Sequence, residues 1–332
     1  MSQRDKRIVV IGGGTGSYTV LRSLRGVTPD LSAIVNMVDD GGSSGKLRDE
    51  LGVLPPGDVR QCLVAMSNAP NYLRKLFDFR FAEGDLAGHS FGNLFLSALE
   101  QMNGNFSDAV EKTAEILNVE GLVLPVTLEN VSLEMTIDGR AVSGQANIEA
   151  EQFDGKIRPQ FSTMPKAEIN PKAKQAILRA DLVVIAPGNL YSSLVPTLLM
   201  EGMSDALHAT KARLVMIGNL VNKRYQTNGY SIKDYVSVLT NFLAVPEDID
   251  AVIYQNSAPR SDLLKRYAAK GEMPVTIPSD LGQEKIRYIG ADIISTTPIE
   301  KSTNDGLMRV PRNLIRHDEV ALRKIIIEYL DG

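Results

Sequence analysis

Five short apolar runs, at residues 8–11, 33–38, 182–186, 214–217 and 251–254, carry no polar alternation. A strand with one face in water alternates in polarity and a strand covered on both faces does not, so these runs read as central strands of a parallel sheet. Parallel strands need crossovers, and helical patterns lie at 17–24, 58–66, 90–101, 107–117, 171–180, 192–200 and 231–242. The expected fold is α/β, a doubly wound, mostly parallel, Rossmann-like sheet. Local signals mark several helix starts. Asp58 with Gln61 three residues on resembles a capping box, Asn170 precedes Pro171, and Asp318 is placed to cap the last helix.

Residues 126–151 break this rhythm. Two extended patterns, 133–137 and 141–149, flank Asp138-Gly139 and predict a β-hairpin excursion from one α/β domain spanning 1–332. Residues 295–312 are loop-like and are expected to fold over a ligand or serve a dimer contact. A net charge of −4 gives no overall drive toward nucleic acid. No apolar run approaches the ~20 residues that span a bilayer, and the polar opening leads straight into the first strand, so neither membrane insertion nor a secretory signal is expected. The single cysteine, Cys62, excludes an internal disulfide and sits in a helical pattern that suits a core residue. The cytoplasm is the expected compartment.

Two glycine turns carry the chemistry. After the first run, Gly12-Gly13-Gly14-Thr15-Gly16-Ser17 nearly matches the dinucleotide fingerprint, with Ser17 where the third small residue belongs. After a second strand, read at 31–38, come Asp39-Asp40-Gly41-Gly42-Ser43-Ser44-Gly45-Lys46-Leu47-Arg48. Such turns at helix starts present backbone N–H groups to anionic oxygen. Asp39 and Asp40 would repel a bare phosphate. They point instead to a divalent cation such as Mg²⁺ held between carboxylate and phosphate, or to a ribose hydroxyl. The plainer alternative is an Asp-Gly turn capped by Ser43. Leu47 after Gly45-Lys46 excludes a P-loop, so a nucleotide diphosphate is expected, with no organic cofactor and no standard NAD or ATP site.

A third donor set lies at Pro187-Gly188-Asn189 with Ser192 and Ser193, and a fourth turn at Gly218-Asn219 begins a loop through Lys223, Arg224, Gln226 and Thr227. The turns at Gly12, Asp39, Pro187 and Gly218 all follow strands, so all should open on one edge of the sheet. His89 and Asn93 lie four apart on one helical face. His89 reads either as a phosphate donor or general acid, or as a structural hydrogen bond at the turn. His208 and His317 have no metal-ligand spacing with it.

Four ordered motifs, GGGTGS at 12–17, VDDGGSSGKLR at 38–48, PPGDVRQCL at 55–63 and GHSFGNLFL at 88–96, resemble the superfamily of the 2-phospho-L-lactate transferases and the bacterial gluconeogenesis factors. Residues 186–193 and the ending at 314–318 extend the likeness along most of the chain and look more like the gluconeogenesis factor branch. The resemblance implies a cytoplasmic protein that binds a UDP-sugar and influences carbon flow, cell-envelope synthesis and cell shape, without a settled reaction. The transferase branch moves a phospholactyl group onto a deazaflavin precursor with a divalent metal.

On this basis the ligand set is Gly12, Gly13, Gly14, Thr15, Gly16, Asn36, Asp39, Asp40, Gly41, Gly42, Ser43, Ser44, Arg48, Asp58, His89, Asn93, Pro187, Gly188, Asn189, Ser192, Ser193 and Asn219, with Asp39 and Asp40 as metal ligands. The family motif suggests a substrate contact for Asp58, against a helix cap. Tyr267, Arg312 and Arg316 are the candidates for the uracil or sugar end, by stacking and bidentate hydrogen bonds. Gln226 stands where the family pattern has an acidic residue, which removes support for a catalytic role of that loop.

The reading is a sensor of UDP-N-acetylglucosamine that signals to a partner enzyme of amino-sugar or peptidoglycan precursor synthesis, with a homodimer as the base-rate state. The alternative is a Mg²⁺-dependent phospholactyl transferase. An NAD(P) oxidoreductase, resting only on the first glycine turn and Asp39, ranks last.

Overall fold

The computed structural model describes residues 3–243, 249–282, 285–296 and 315–331. In chain order its strands are β1 (Ile8–Gly12), β2 (Leu31–Val35), β3 (Leu122–Pro125), β4 (Ser132–Ile137), β5 (Arg140–Ser143), β6 (Gln160–Met164), β7 (Leu182–Ile185), β8 (Arg213–Ile217), β9 (Ala251–Gln255) and β10 (Arg287–Ala291). Seven of them form one parallel sheet in the order β10-β9-β8-β7-β1-β2-β3. Ile8 faces Leu31 on one side and Leu182 on the other. From β1 the chain winds outward to β3, then returns to β1 at β7 and winds the other way. The order therefore reverses between β1 and β7, which is where a doubly wound sheet opens a crevice at its carboxyl edge.

Every residue of β1, β2 and β7 is buried, as two-sided coverage by helices requires. The helix Gly14–Leu24 packs against both Gly57–Met66 and the last helix, Glu319–Asp331. The caps act locally as their residue types suggest. Ser90 accepts from the Asn93 N–H at 3.3 Å, Asn170 accepts from Lys172 at 3.0 Å with Pro171 in the first turn, and Asp318 accepts from Val320 and Ala321 at 3.0 and 2.9 Å. No helix among the described residues is long and apolar enough to cross a membrane.

The structure departs from expectation at several elements. The second strand ends at Val35, and residues 36–38 are already the buried start of the loop. Strands β3 and β10 lie at the two sheet edges, where short and partly exposed segments give no buried-strand pattern. The helix expected at 192–200 begins as a wide π-type turn, Leu190–Leu194, before Val195–Leu198.

The excursion is more than a hairpin. Asp138 and Gly139 turn with φ of +49° and +75° as a tight hairpin demands, but β5 stops at Ser143. Gly144, at φ +92°, redirects the chain into a helix, Gln145–Ala150, in place of the strand expected to 149. Strand β6 then pairs with β4, giving a three-stranded antiparallel sheet that reaches Met164.

Candidate functional site

Because the sheet is parallel, the loops after β2, β1, β7 and β8 emerge side by side along its carboxyl edge, as the sequence implies. At the switch point the first turn of helix Gly14–Leu24 is pressed onto the loop after β7. A Cβ on Gly16 would lie 1.6 Å from the Pro187 carbonyl oxygen, so only glycine fits. Thr15 is exposed at the start of this helix. Two buried side chains beside the turn keep polar atoms without partners among the described residues, Ser17 Oγ and Asn36 Oδ1, with the residues 2 % and 1 % exposed. Such groups cost stability unless something completes them.

Asp58 does not cap its own helix. Pro56 holds the cap position of Gly57–Met66 and Asp58 lies inside the first turn, with its carboxyl directed across to the β1 loop. The Gly14 N–H donates to it, and a Cβ on Gly13 would sit 2.3 Å from its Oδ2. The bare backbone of the first glycine turn thus attracts the carboxyl more strongly than the local cap does. Dense surroundings, and then the charge of Asp39, push Asp58 up to about 7. Both residues are half-buried.

Asp39 accepts from the Gly41 N–H at 3.1 Å and from the Ser44 hydroxyl. Desolvation still raises its pKa, with Asp40 and Glu149 adding like charge. Helix Gly42–Leu51 starts from Gly41 with no side-chain cap, so the Ser43-capped alternative does not hold. Asp40 turns the other way. Its Oδ2 accepts from Gln145 N at 2.9 Å and its Oδ1 from Ala146 N at 2.7 Å, which seats the excursion helix on the loop after β2. The two adjacent acids therefore have different tasks: Asp39 faces Asp58, and Asp40 holds the excursion. Among the described residues no group of three or more metal-ligating side chains is gathered, so a cation here would take two carboxylates and draw its other ligands from phosphate and water.

Ser43 is held from two sides. His89 Nδ1 lies 3.1 Å from its Oγ, and Asn93 Nδ2 donates to the same oxygen at 3.1 Å. Arg60 Nε donates to Asn93 Oδ1 at 3.0 Å and pairs with Asp78, which fixes the orientation of the amide. His89 precedes the helix Phe91–Asn103 and Asn93 lies in its first turn, and the two side chains meet at Ser43. Arg48 reaches Asp49 at 3.3 Å, while its buried Nη1 has no partner among the described residues.

Asn219 accepts from the Gly188 N–H at 3.3 Å and donates to the Gly188 carbonyl at 2.7 Å, locking the third and fourth turns together. Asn189 Oδ1 accepts from Ser192 N at 3.4 Å, and its Nδ2 donates to Glu149 Oε1 at 3.2 Å. Ser192 Oγ is buried without a partner among the described residues, and Ser193 offers its carbonyl to Thr197. Lys223 Nζ reaches Glu149 Oε1 at 3.0 Å and its backbone oxygen at 3.1 Å. Gln226 Nε2 donates to the Ile148 and Glu149 carbonyls at 2.8 and 3.3 Å, a task an acid at that position could not perform. The sequence does not mark Glu149 or Lys223 as site residues. Read as hairpin and loop, they carry no local signal, and only the docking of the excursion brings them together.

The residues expected at the uracil or sugar end are placed differently. Tyr267 is buried, and its hydroxyl accepts from the Ile315 N–H at 3.1 Å, so it anchors the returning chain. Arg316 offers its carbonyl to Ser295 N at 2.8 Å, and Arg312 lies outside the described residues. His317, which burial keeps neutral with its pKa lowered to about 4, donates from Nε2 to the Gly218 carbonyl at 3.0 Å. That contact brings residues 315–318 to the β8 end of the same edge.

Comparison with known proteins places this geometry. The family described as 2-phospho-L-lactate transferase CofD matches residues 8–297. Over 332 residues the chain is 35 % identical to the gluconeogenesis factor of Bacillus subtilis, covering 99 % of each chain. It is 37 % identical over 313 residues to the gluconeogenesis factor of Listeria innocua, covering 93 % of each. The crystal structure of protein BH3568 from Bacillus halodurans superposes with a TM-score of 0.87 at 32 % identity, covering 97 % of this chain and 99 % of that one.

Proposed function

The chain belongs to the 2-phospho-L-lactate transferase CofD family, in its gluconeogenesis factor branch, and from that premise we propose that it is a cytoplasmic sensor of UDP-N-acetylglucosamine. One observation carries the reading: the Asp58 carboxyl is seated on the Gly13-Gly14 turn beside Asp39, at the point where the strand order reverses. With the Gly14 N–H given to Asp58 and the Gly41 N–H to Asp39, the remaining N–H groups of the turns at Gly12 to Gly16 and Gly41-Gly42 would face a diphosphate. Mg²⁺ would be held by Asp39 and Asp58 and would supply the positive charge that lets two carboxylates face an anion. Asn36 Oδ1, without a partner among the described residues, suits a ribose hydroxyl as donor, and Ser17 Oγ, likewise without one, suits a ribose or phosphate oxygen. The base or sugar would extend toward residues 315–318, which include Arg316.

Binding would shift the protein toward a state that engages a partner enzyme of amino-sugar or peptidoglycan precursor synthesis, by its differential affinity for the two states. In this way carbon flow, envelope synthesis and cell shape would respond to the ligand. A homodimer is the expected assembly. The test is titration calorimetry against UDP-N-acetylglucosamine, UDP-glucose, GDP and NADP, each with and without Mg²⁺. Selective binding of the UDP-sugar, with the ligand recovered intact, supports the sensor.

A second reading, a Mg²⁺-dependent phospholactyl transferase, draws on the same acid pair, since phosphoryl-group chemistry needs positioning and charge rather than a nucleophilic side chain. A preference for GDP with a Mg²⁺ requirement, and turnover of a guanylylated phospholactate, would favour it.

A further inference from the structure

The excursion helix Gln145–Ala150 lies over the loop after β7 and carries Glu149 to the mouth of the crevice. The Glu149 carboxylate takes two donors there, Asn189 Nδ2 at 3.2 Å and Lys223 Nζ at 3.0 Å. These donors stand on the loops after β7 and β8, next to the switch point. We propose that Asn189 and Lys223 form an anion subsite at the mouth of the crevice, and that Glu149 is its built-in occupant, displaced when a phosphate oxygen of the ligand arrives.

Three features support displacement over a permanent bridge. Glu149 places a third negative charge beside Asp39 and Asp58, at the place where an anion is to bind. The ion pair is half exposed, with side chains 47 % and 32 % accessible, and pairs of this kind contribute little by themselves. The helix also does not depend on it. Asp40 holds the first turn, and Gln226 and Lys223 hold the Ile148 and Glu149 carbonyls, so the side chain can leave while the backbone stays docked. The ligand chemistry is that of a phosphate or diphosphate, and the inference uses the nucleotide reading only for the presence of such a group.

Inorganic pyrophosphate is the probe, titrated by calorimetry into the full chain and into Glu149→Gln, Lys223→Met and the double variant. An occupant lowers apparent affinity by the fraction of time the site is open, so Glu149→Gln should tighten binding about threefold, the gain that a half-exposed pair can withhold. Lys223→Met should weaken it by a similar factor, and Glu149→Gln should add almost nothing in the Lys223→Met background. Glu149→Ala should repeat the gain. An unchanged affinity in Glu149→Gln, an equal gain in the Lys223→Met background, or no pyrophosphate binding by any form overturns the proposal. UDP-N-acetylglucosamine titrated in parallel reports separately on the sensor: loss of that binding with the pyrophosphate cycle intact removes the nucleotide and leaves the subsite.

Discussion

Asp58 Oδ2 lies 2.3 Å from the point that a Cβ on Gly13 would occupy, so the carboxyl and the bare backbone are complementary shapes. Gly13 has φ −149°, an extended conformation open to any residue, so the requirement for glycine is purely steric. Gly13→Ala should push the carboxyl off the Gly14 N–H and destabilise the fold by about 1–3 kcal/mol, the usual cost of overpacking. Urea denaturation measures this, and an unchanged midpoint would mean that Asp58 moves aside freely.

Asp58 also predicts a pH dependence. Its folded pKa, about 7, lies above the ordinary aspartate value, so the folded state binds the proton more tightly. The associated stability is present at acid pH and is lost as pH rises from about 4 through about 7. After allowance for solvent screening the loss is on the order of 1–3 kcal/mol. Asp58→Asn should flatten this part of the stability profile. Glu100, pushed up to about 7 by burial although it accepts from Leu54 N, adds a slope of the same sign that Glu100→Gln removes. Denaturation at pH 5 and 7.5 for each variant separates the two.

The adjacent acids should respond differently to substitution. Asp39→Asn removes a carboxylate facing Asp58 and should abolish any Mg²⁺ dependence of ligand affinity. Asp40→Ala removes the acceptor for Gln145 and Ala146 and should cost about 1 kcal/mol while speeding amide exchange across residues 145–150. A Mg²⁺ response lost only in Asp40→Ala would transfer the cation to that residue.

Gln226→Glu replaces the donor to the Ile148 and Glu149 carbonyls with a carboxylate. A buried acceptor facing acceptors costs about 1–3 kcal/mol, so the melting temperature should fall, while Gln226→Met, which only removes the donor, should fall less. A rise in stability for the acidic variant would contradict this geometry.

Much of the sheet is legible in the sequence because β1, β2, β7, β8 and β9 are apolar without alternation, which only burial on both faces explains. The edge strands are not legible: Leu122 is 54 % exposed and β3 ends at a proline, while β10 contains a glycine and is half covered. Residues 141–149 look extended because Ala141 and Val142 precede polar residues, and the switch to helix depends on the positive φ at Gly144. The two glycine turns are visible as turns, yet Asp58 fits a capping pattern so well that its true partner, a glycine turn far away in the chain, leaves no local trace. Glu149 and Lys223 are hidden for the same reason. Their meeting is a property of the docked excursion and not of either segment.

Ile8 pairs with both Leu31 and Leu182, so the crevice has one wall made early in translation and the other made after the whole excursion has been synthesised. A nascent chain that has released only β1 to β3 holds the first glycine turn but lacks the loop that closes it. Closing so long a stretch carries a large entropic cost, and such contacts form late. Ligand affinity is therefore a report on wound topology: any molecule that spans the loops after β1 and β7, where Gly16 meets Pro187, ties an early-made segment to a later one and selects molecules in which β7 has docked over those in which it has not.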